Sequence, residues 1–251
     1  MPAPVNEQRQ KELSTVRDLV RRGMLSLHMP LSDRQLDLLG AYYALLLSGN
    51  EQVNLTAITD PREVAVKHFL DCLAPLHFLP PPRAARLVDV GSGAGFPGIP
   101  LKIARSDLEI VLVESVRKKA DFLRLVIKEL DLSGIVVVER RAEEFARQEN
   151  VRESFDLSVC RAVAALPVLL EYCLPLLKVG GFFWALKGPS VEREFPVDHA
   201  LQILGGRLNR VFHYALPFTG DERRLVTVEK VTPVPDQYPR KAGVPVKRPL
   251  K

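Results

Sequence analysis

From residue 86 onward the chain alternates short, β-branched apolar runs with amphipathic stretches, and this rhythm limits the fold more than any other feature. The runs cover 86–90, 109–114, 135–139, 155–160 and 181–186, each too short for a helix and bounded by turn residues, so they read as buried strands. Between the second and third, Val116, Ala120, Leu123, Ile127 and Leu130 share one helical face. Arg117, Lys118, Lys119 and Arg124 lie mostly elsewhere on that helix and read as a solvated surface. Repeated strand-helix-strand units dictate a parallel sheet covered by helices on both faces, with right-handed crossovers. The rhythm breaks near the end. After a helix expected from Ser190, the segments LNRVFHYALPF and RRLVTVEKV follow one another too closely for a crossover helix, so they must pair antiparallel. The expected fold class is α/β, a mostly parallel sheet ending in an antiparallel hairpin.

Upstream, residues 1–80 read as a helical cap. Leu36, Leu39, Gly40, Tyr43 and Leu47 recur at helical spacing, and Asp60-Pro61-Arg62-Glu63 supplies an N-cap, a proline in the first turn and a capping-box acid. Between these helices lies SGNEQVNLTAITD, a polar loop. Pro80-Pro81-Pro82 marks a boundary, and residues 81–231 form the strand-rich domain. Residues 232–251, rich in proline, carry a net +4 of the chain's +5 and read as an extended tail largely unable to pack itself. A basic tail on a near-neutral body suggests an anionic partner, with nucleic acid the leading candidate. No apolar run approaches membrane-spanning length and the first residues are polar, so the expectation is a cytoplasmic chain with no membrane contact. Cys72, Cys160 and Cys173 lie in apolar segments without C-x-x-C spacing and read as buried, reduced thiols. His28, His68 and His77 lack ligand spacing, so no metal is expected.

The strand at 86–90 opens into LVDVGSGAGFPGIPLKI. Glycines there let the backbone turn sharply and approach a ligand closely. The spacing Gly93-x-Gly95-x-x-Gly98 with Glu114 downstream admits a nicotinamide dinucleotide or S-adenosylmethionine. Asp89, two residues before Gly91, could receive a cationic methionine group, whereas a pyrophosphate would gain nothing from it. The terminal hairpin also favours S-adenosylmethionine, and Glu114 suits the ribose of either ligand.

NEQVNLTAI, KHFLDCL, the glycine loop, RAEE, CRAVAAL, GGFFWALKG and the closing YPRKAGVPVKRPL together give the chain a resemblance, over nearly its whole length, to the bacterial small-subunit rRNA guanine-N7 methyltransferases, also called glucose-inhibited division protein B. The resemblance implies the class I methyltransferase fold with a seven-stranded sheet. It also implies S-adenosyl-L-methionine as methyl donor and a guanine in the decoding region of 16S rRNA, or of the small ribosomal subunit, as acceptor. Cys72 departs from the family's usual serine.

Carried over motif by motif, Gly91 and Phe96 should line the cofactor loop, with Gly93 and Gly95 allowing close approach. Glu114 should hold the ribose beside Ser115, Ala142 and Glu143 should meet the adenine edge, and Arg161 should face the cleft between donor and acceptor. Guanine N7 has a free lone pair, so no general base is needed and no catalytic base is assigned. Asn54, Thr56, His68, Arg141, Arg161 and Lys187 are candidates for positioning the base. Arg223 and Arg224 read either as phosphate contacts or as charges on an exposed hairpin edge. A monomer is the default, since no exposed apolar stripe stands out.

Overall fold

The computed structural model describes residues 7–250. Seven strands form one sheet in the order β3-β2-β1-β4-β5-β7-β6. They are β1 (Arg86–Val90), β2 (Glu109–Glu114), β3 (Ile135–Glu139), β4 (Phe155–Arg161), β5 (Leu177–Lys187), β6 (Gly206–Ala215) and β7 (Glu222–Lys230). The first five are mutually parallel, and β7 inserts antiparallel between β5 and β6. The fold expected from the strand rhythm and the late hairpin is the one observed. Because the chain moves outward from β1 to β3 and then returns to β4 beside β1, the sheet has a switch point where the glycine loop leaves β1. Ligands in open α/β sheets bind outside strand carboxyl ends at such a point.

Each face of the sheet buries its own core. One holds Leu87, Leu157, Val159, Trp184 and Leu225 with the N-terminal helices α1 (Glu7–Ser26) and α2 (Asp33–Asn50). The same side carries a helical run over 61–78, α3 (Gly98–Ala104) and α4 (Arg117–Glu129). The opposite face holds Val88, Val90, Cys160, Phe183 and Val226 against α5 (Ala142–Phe145), α6 (Leu166–Cys173) and α7 (Asp198–Ile203). The N-terminal helices therefore share a core with the sheet. Ser32 caps α2 in a full capping box with Gln35; Asp60 Oδ1 accepts from the backbone of Arg62 and Glu63 as the sequence predicts, while the Glu63 carboxylate pairs with Lys67 in place of closing a capping box. The middle of the 61–78 run, Val64–Leu70, is a π-helix, a rare form that is frequent at functional sites.

Two expectations are corrected. The helix expected from Ser190 is a 3-10 segment, Pro189–Glu194, and α7 starts only at Asp198, after Pro196 has interrupted the backbone hydrogen bonding. The tail expected to be unable to pack is docked along the α5 and α6 side. Arg152 donates to the carbonyls of Val234 and Tyr238, Arg147 donates to that of Pro239, and Arg240 forms a salt bridge with the fully buried Glu171. Arginines of the body hold its proline-rich backbone by the carbonyls, so little apolar surface is needed. The three cysteines are buried and unpaired.

Candidate active site

Side-chain alternation along the strands decides what meets at their carboxyl ends. On β4, Leu157 and Val159 face the cap-side core, so Arg161 continues that row and meets the 61–78 run. Its Nη1 donates to Lys67 O at 2.9 Å and Asp71 Oδ2 at 3.0 Å, its Nη2 reaches His68 Nδ1 at 3.0 Å, and its guanidinium lies 5.0 Å from the Phe96 ring centre. Arg223 shares the cap-side parity with Leu225 and takes the other Asp71 oxygen at 3.0 Å. Lys187 has the opposite parity, shared with Phe183 and Ala185, and is bound to Ala164 O at 2.7 Å and Glu194 at 2.9 Å. Arg224 turns the same way and pairs with Glu192 and Glu222. Because β7 is an interior strand, neither Arg223 nor Arg224 sits on an exposed hairpin edge.

Two cavities open along this rim. The first, of about 360 Å³, is bounded by the loop from Gly91 to Ala94 with Phe96, by Glu114 and Ser115, and by Thr56 and His68 from the cap. The second, of about 330 Å³, lies between Lys67, Asp71, Lys187 and Arg223. They share His68, Arg161 and Ala162 as a common wall.

The first cavity fits S-adenosylmethionine. Gly91 and Gly93 have φ of +74° and +58°, and a Cβ on Gly91 would lie 2.6 Å from the Val163 side chain. A Cβ on Gly93 would meet nothing closer than 4.0 Å, so the backbone there is open to a ligand. Gly95, at φ +103°, has no room for a Cβ against Ile99 and Tyr42. Glu114 accepts from Gly93 N at 2.9 Å and Val116 N at 2.7 Å, and each oxygen keeps a lone pair for a ribose hydroxyl. The volume is within the range of small-molecule sites, ~300 to 1,000 Å³.

Of the sequence candidates, Asn54, Asp89, Gly95, Arg141, Ala142 and Glu143 line neither cavity. Asp89 is fully buried beneath the loop, not in the cavity: Oδ2 accepts from Gly98 N at 2.9 Å, Oδ1 has no partner, and burial raises its pKa to about 7. Buried this way, it braces the start of α3 and cannot receive a cationic ligand group directly. Glu143 accepts from the Tyr172 hydroxyl and from Gly243 N, so it anchors the tail. It pairs with neither Arg161 nor an open cavity, and Ala142 packs into the core beside it. Arg141 precedes α5 and is exposed.

Asn54 is exposed at the loop tip, while Thr56 is held inward by His68. His68 stacks on Phe96 with ring centres 4.5 Å apart. Burial, then the Arg161 charge, lowers its pKa to about 3, so the ring is neutral at ordinary pH. Sequence reasoning missed Asp71 and Lys119. Asp71 was visible inside KHFLDCL, and Lys119, which lines the first cavity, was masked by the solvated cluster around it.

The family model described as rRNA small subunit methyltransferase G (GidB) matches residues 35–225. Proteins named Ribosomal RNA small subunit methyltransferase G are similar throughout. That of Pelotomaculum thermopropionicum is 46% identical over 95% of this chain and 100% of its own length. That of Acetivibrio thermocellus is 44% identical over 96% and 99%. Among solved structures, a SAM-dependent methyltransferase from Aquifex aeolicus shares the fold with a TM-score of 0.50 at 18% identity, over 68% of this chain and 94% of that one. A mutant of MtNAS aligns over 90% and 78% with a TM-score of 0.54 and 16% identity. With a match across three quarters of its length and relatives this similar from end to end, the chain belongs to the rRNA small subunit methyltransferase G family.

Proposed function

We infer that this protein transfers a methyl group from S-adenosyl-L-methionine to N7 of a guanine in 16S rRNA, the guanine lying in the decoding region of the small ribosomal subunit. The observation that carries this reading is the pair of adjoining cavities with a common wall of His68, Arg161 and Ala162. One has the glycine loop and Glu114 for a nucleoside, and the other is open for a base. When bound, S-adenosylmethionine supplies a methyl group on a cationic sulfur, which N7 can accept with its own lone pair.

No proton has to leave N7 first, so the residues' work is alignment. Positioning alone supplies up to ~7 to 11 kcal/mol in well-aligned systems. Gly91, Gly93, Phe96, Glu114 and Ser115 hold the donor. His68 and Arg161 form the wall across which the two reactants meet, with Asp71 fixing Arg161 from behind. Arginine bound to both O6 and N7 of guanine is a common contact but would block the nucleophile; here Arg161 is occupied by Lys67 O, Asp71 and His68. A cytoplasmic monomer that contacts the small subunit is part of this reading. Among the described residues no helix is long and apolar enough to cross a membrane.

The test is incubation with labelled S-adenosylmethionine and small subunits from cells lacking the modification, followed by mapping of the labelled nucleotide. Label on a 16S guanine that blocks further N7 alkylation is expected; absence of label from 16S rRNA would overturn the reading.

A further inference from the structure

Counting hydrogen bonds at the common wall leaves one group with a single outlet. His68 Nδ1 has two neighbours: Lys67 O at 3.1 Å and the Arg161 Nη2 donor at 3.0 Å. Guanidinium does not give up protons, so Nδ1, facing Arg161 Nη2 at 3.0 Å, is assigned as the acceptor. The neutral ring therefore carries its one proton on Nε2. That N–H donates to Thr56 Oγ1 at 2.9 Å, and Ile58 N donates to the same oxygen at 3.0 Å. A hydroxyl oxygen has two lone pairs, and both are now filled. The Thr56 O–H must itself donate, and no described residue accepts from it.

The hydroxyl opens on the donor cavity, beside the shared wall through its bond to His68. Thr56 lines the donor cavity with Leu55, while Ile58, whose N–H it binds, lines the acceptor cavity. The arginine charge behind the histidine polarises the chain of bonds and strengthens the final donor.

We propose that the Thr56 hydroxyl donates to O6 of the target guanine, fixing the base with N7 directed across the common wall; this rests on the methyl transfer inferred above. O6 and N7 are neighbouring acceptors on the same edge of guanine, whereas adenine presents an amino donor in place of O6. A hydroxyl donor thus selects guanine and leaves N7 free. It is also uncharged, so it does not repel the positive charge that the ring gains on N7 alkylation.

The experiment compares wild type, Thr56→Val and Thr56→Ser on reconstituted small subunits carrying guanine or adenine at the methylated position, with S-adenosylmethionine binding measured by calorimetry. Thr56→Val is expected to lower kcat/KM on guanine at least ~10-fold and to reduce the preference for guanine over adenine. Thr56→Ser, which keeps the hydroxyl, should recover most of both, and in Thr56→Val the loss of guanine preference should exceed any loss of cofactor affinity. Unchanged kcat/KM and preference in Thr56→Val, or a serine variant no better than valine, would overturn the proposal. So would weakened cofactor binding with base preference intact, which would assign the hydroxyl to the donor's carboxylate. Absence of 16S methylation by wild type is a separate outcome that removes the functional reading itself.

Discussion

The protons of Asp89 and His68 pull stability in opposite directions. Burial lifts Asp89 to about 7, above its ordinary 3.8, so the folded state holds that proton more tightly. Its contribution is full below pH 3.8 and is lost as pH rises through about 7. His68 is depressed from 6.5 to about 3, so its contribution is full above pH 6.5 and is lost as pH falls toward 3. Between about pH 4 and 6.5 the two slopes oppose each other. Asp89→Asn should therefore make the protein lose stability more steeply on acidification through that window than wild type does. Urea unfolding at a series of pH values reads this directly, and parallel curves for the two proteins would refute it. The sequence showed Asp89 at a strand's end but not its burial. Strand parity puts it on the face of Leu87, and only the helices packed over that face turn an apparent ligand group into a brace.

Among the elements, the loop over 51–60 shows how a short polar stretch is positioned without a core of its own. Asn50, the last residue of α2, accepts from Leu55 N at 2.8 Å and Thr56 N at 2.9 Å, which turns the chain back toward the π-helix carrying His68. Asn50→Ala leaves both amides without this acceptor, a loss of about 1 to 2 kcal/mol. It should speed amide hydrogen exchange at residues 55 and 56 and lower methyl transfer, with the sheet's protection unchanged. Unaltered exchange at those two amides would show the loop is held otherwise. The strands, the hairpin, Glu114 and the glycine loop were legible because periodicity and local turn chemistry specify them. Arg161 was legible as a strand-end residue. Its partners were not, because Asp71 and His68 reach it through a π-helix whose extra residue per turn rotates both side chains relative to any α-helical reading of KHFLDCL. Glu143 was misplaced for a related reason. Its position after β3 is correct, but the tail that occupies it arrives from 100 residues away.

On the scale of the whole molecule, the docked tail changes what the basic residues 232–251 can do. It starts beside Glu153, just before β4 begins, passes Glu171 on α6, and reaches Glu143 just after β3 ends. The chain thus climbs from the amino ends of the strands to their carboxyl ends. It leaves Lys241, Lys247 and Arg248 exposed on the side of the exposed Arg140 and Arg141. Removing residues 232–251 would strip the buried Glu171 of its partner, a loss of about 3 to 5 kcal/mol, and should lower the melting temperature by roughly 6 to 20 °C. Lost activity in such a truncation would say little about RNA. Reversing Lys247 and Arg248 to glutamate keeps the docking contacts, and is expected to leave melting unchanged while reducing the salt dependence of RNA binding by about two ions. An unchanged salt slope would place the phosphate contacts elsewhere.

The docked segment also sets an order of events in the making of the molecule. Residues 232–250 are synthesised after β7, when every strand of the sheet has already been made. Until that segment appears, Glu171 has no counter-charge, and Arg147 and Arg152 have no carbonyls of the tail to grip. The face of α6 is therefore finished by chain made after the sheet.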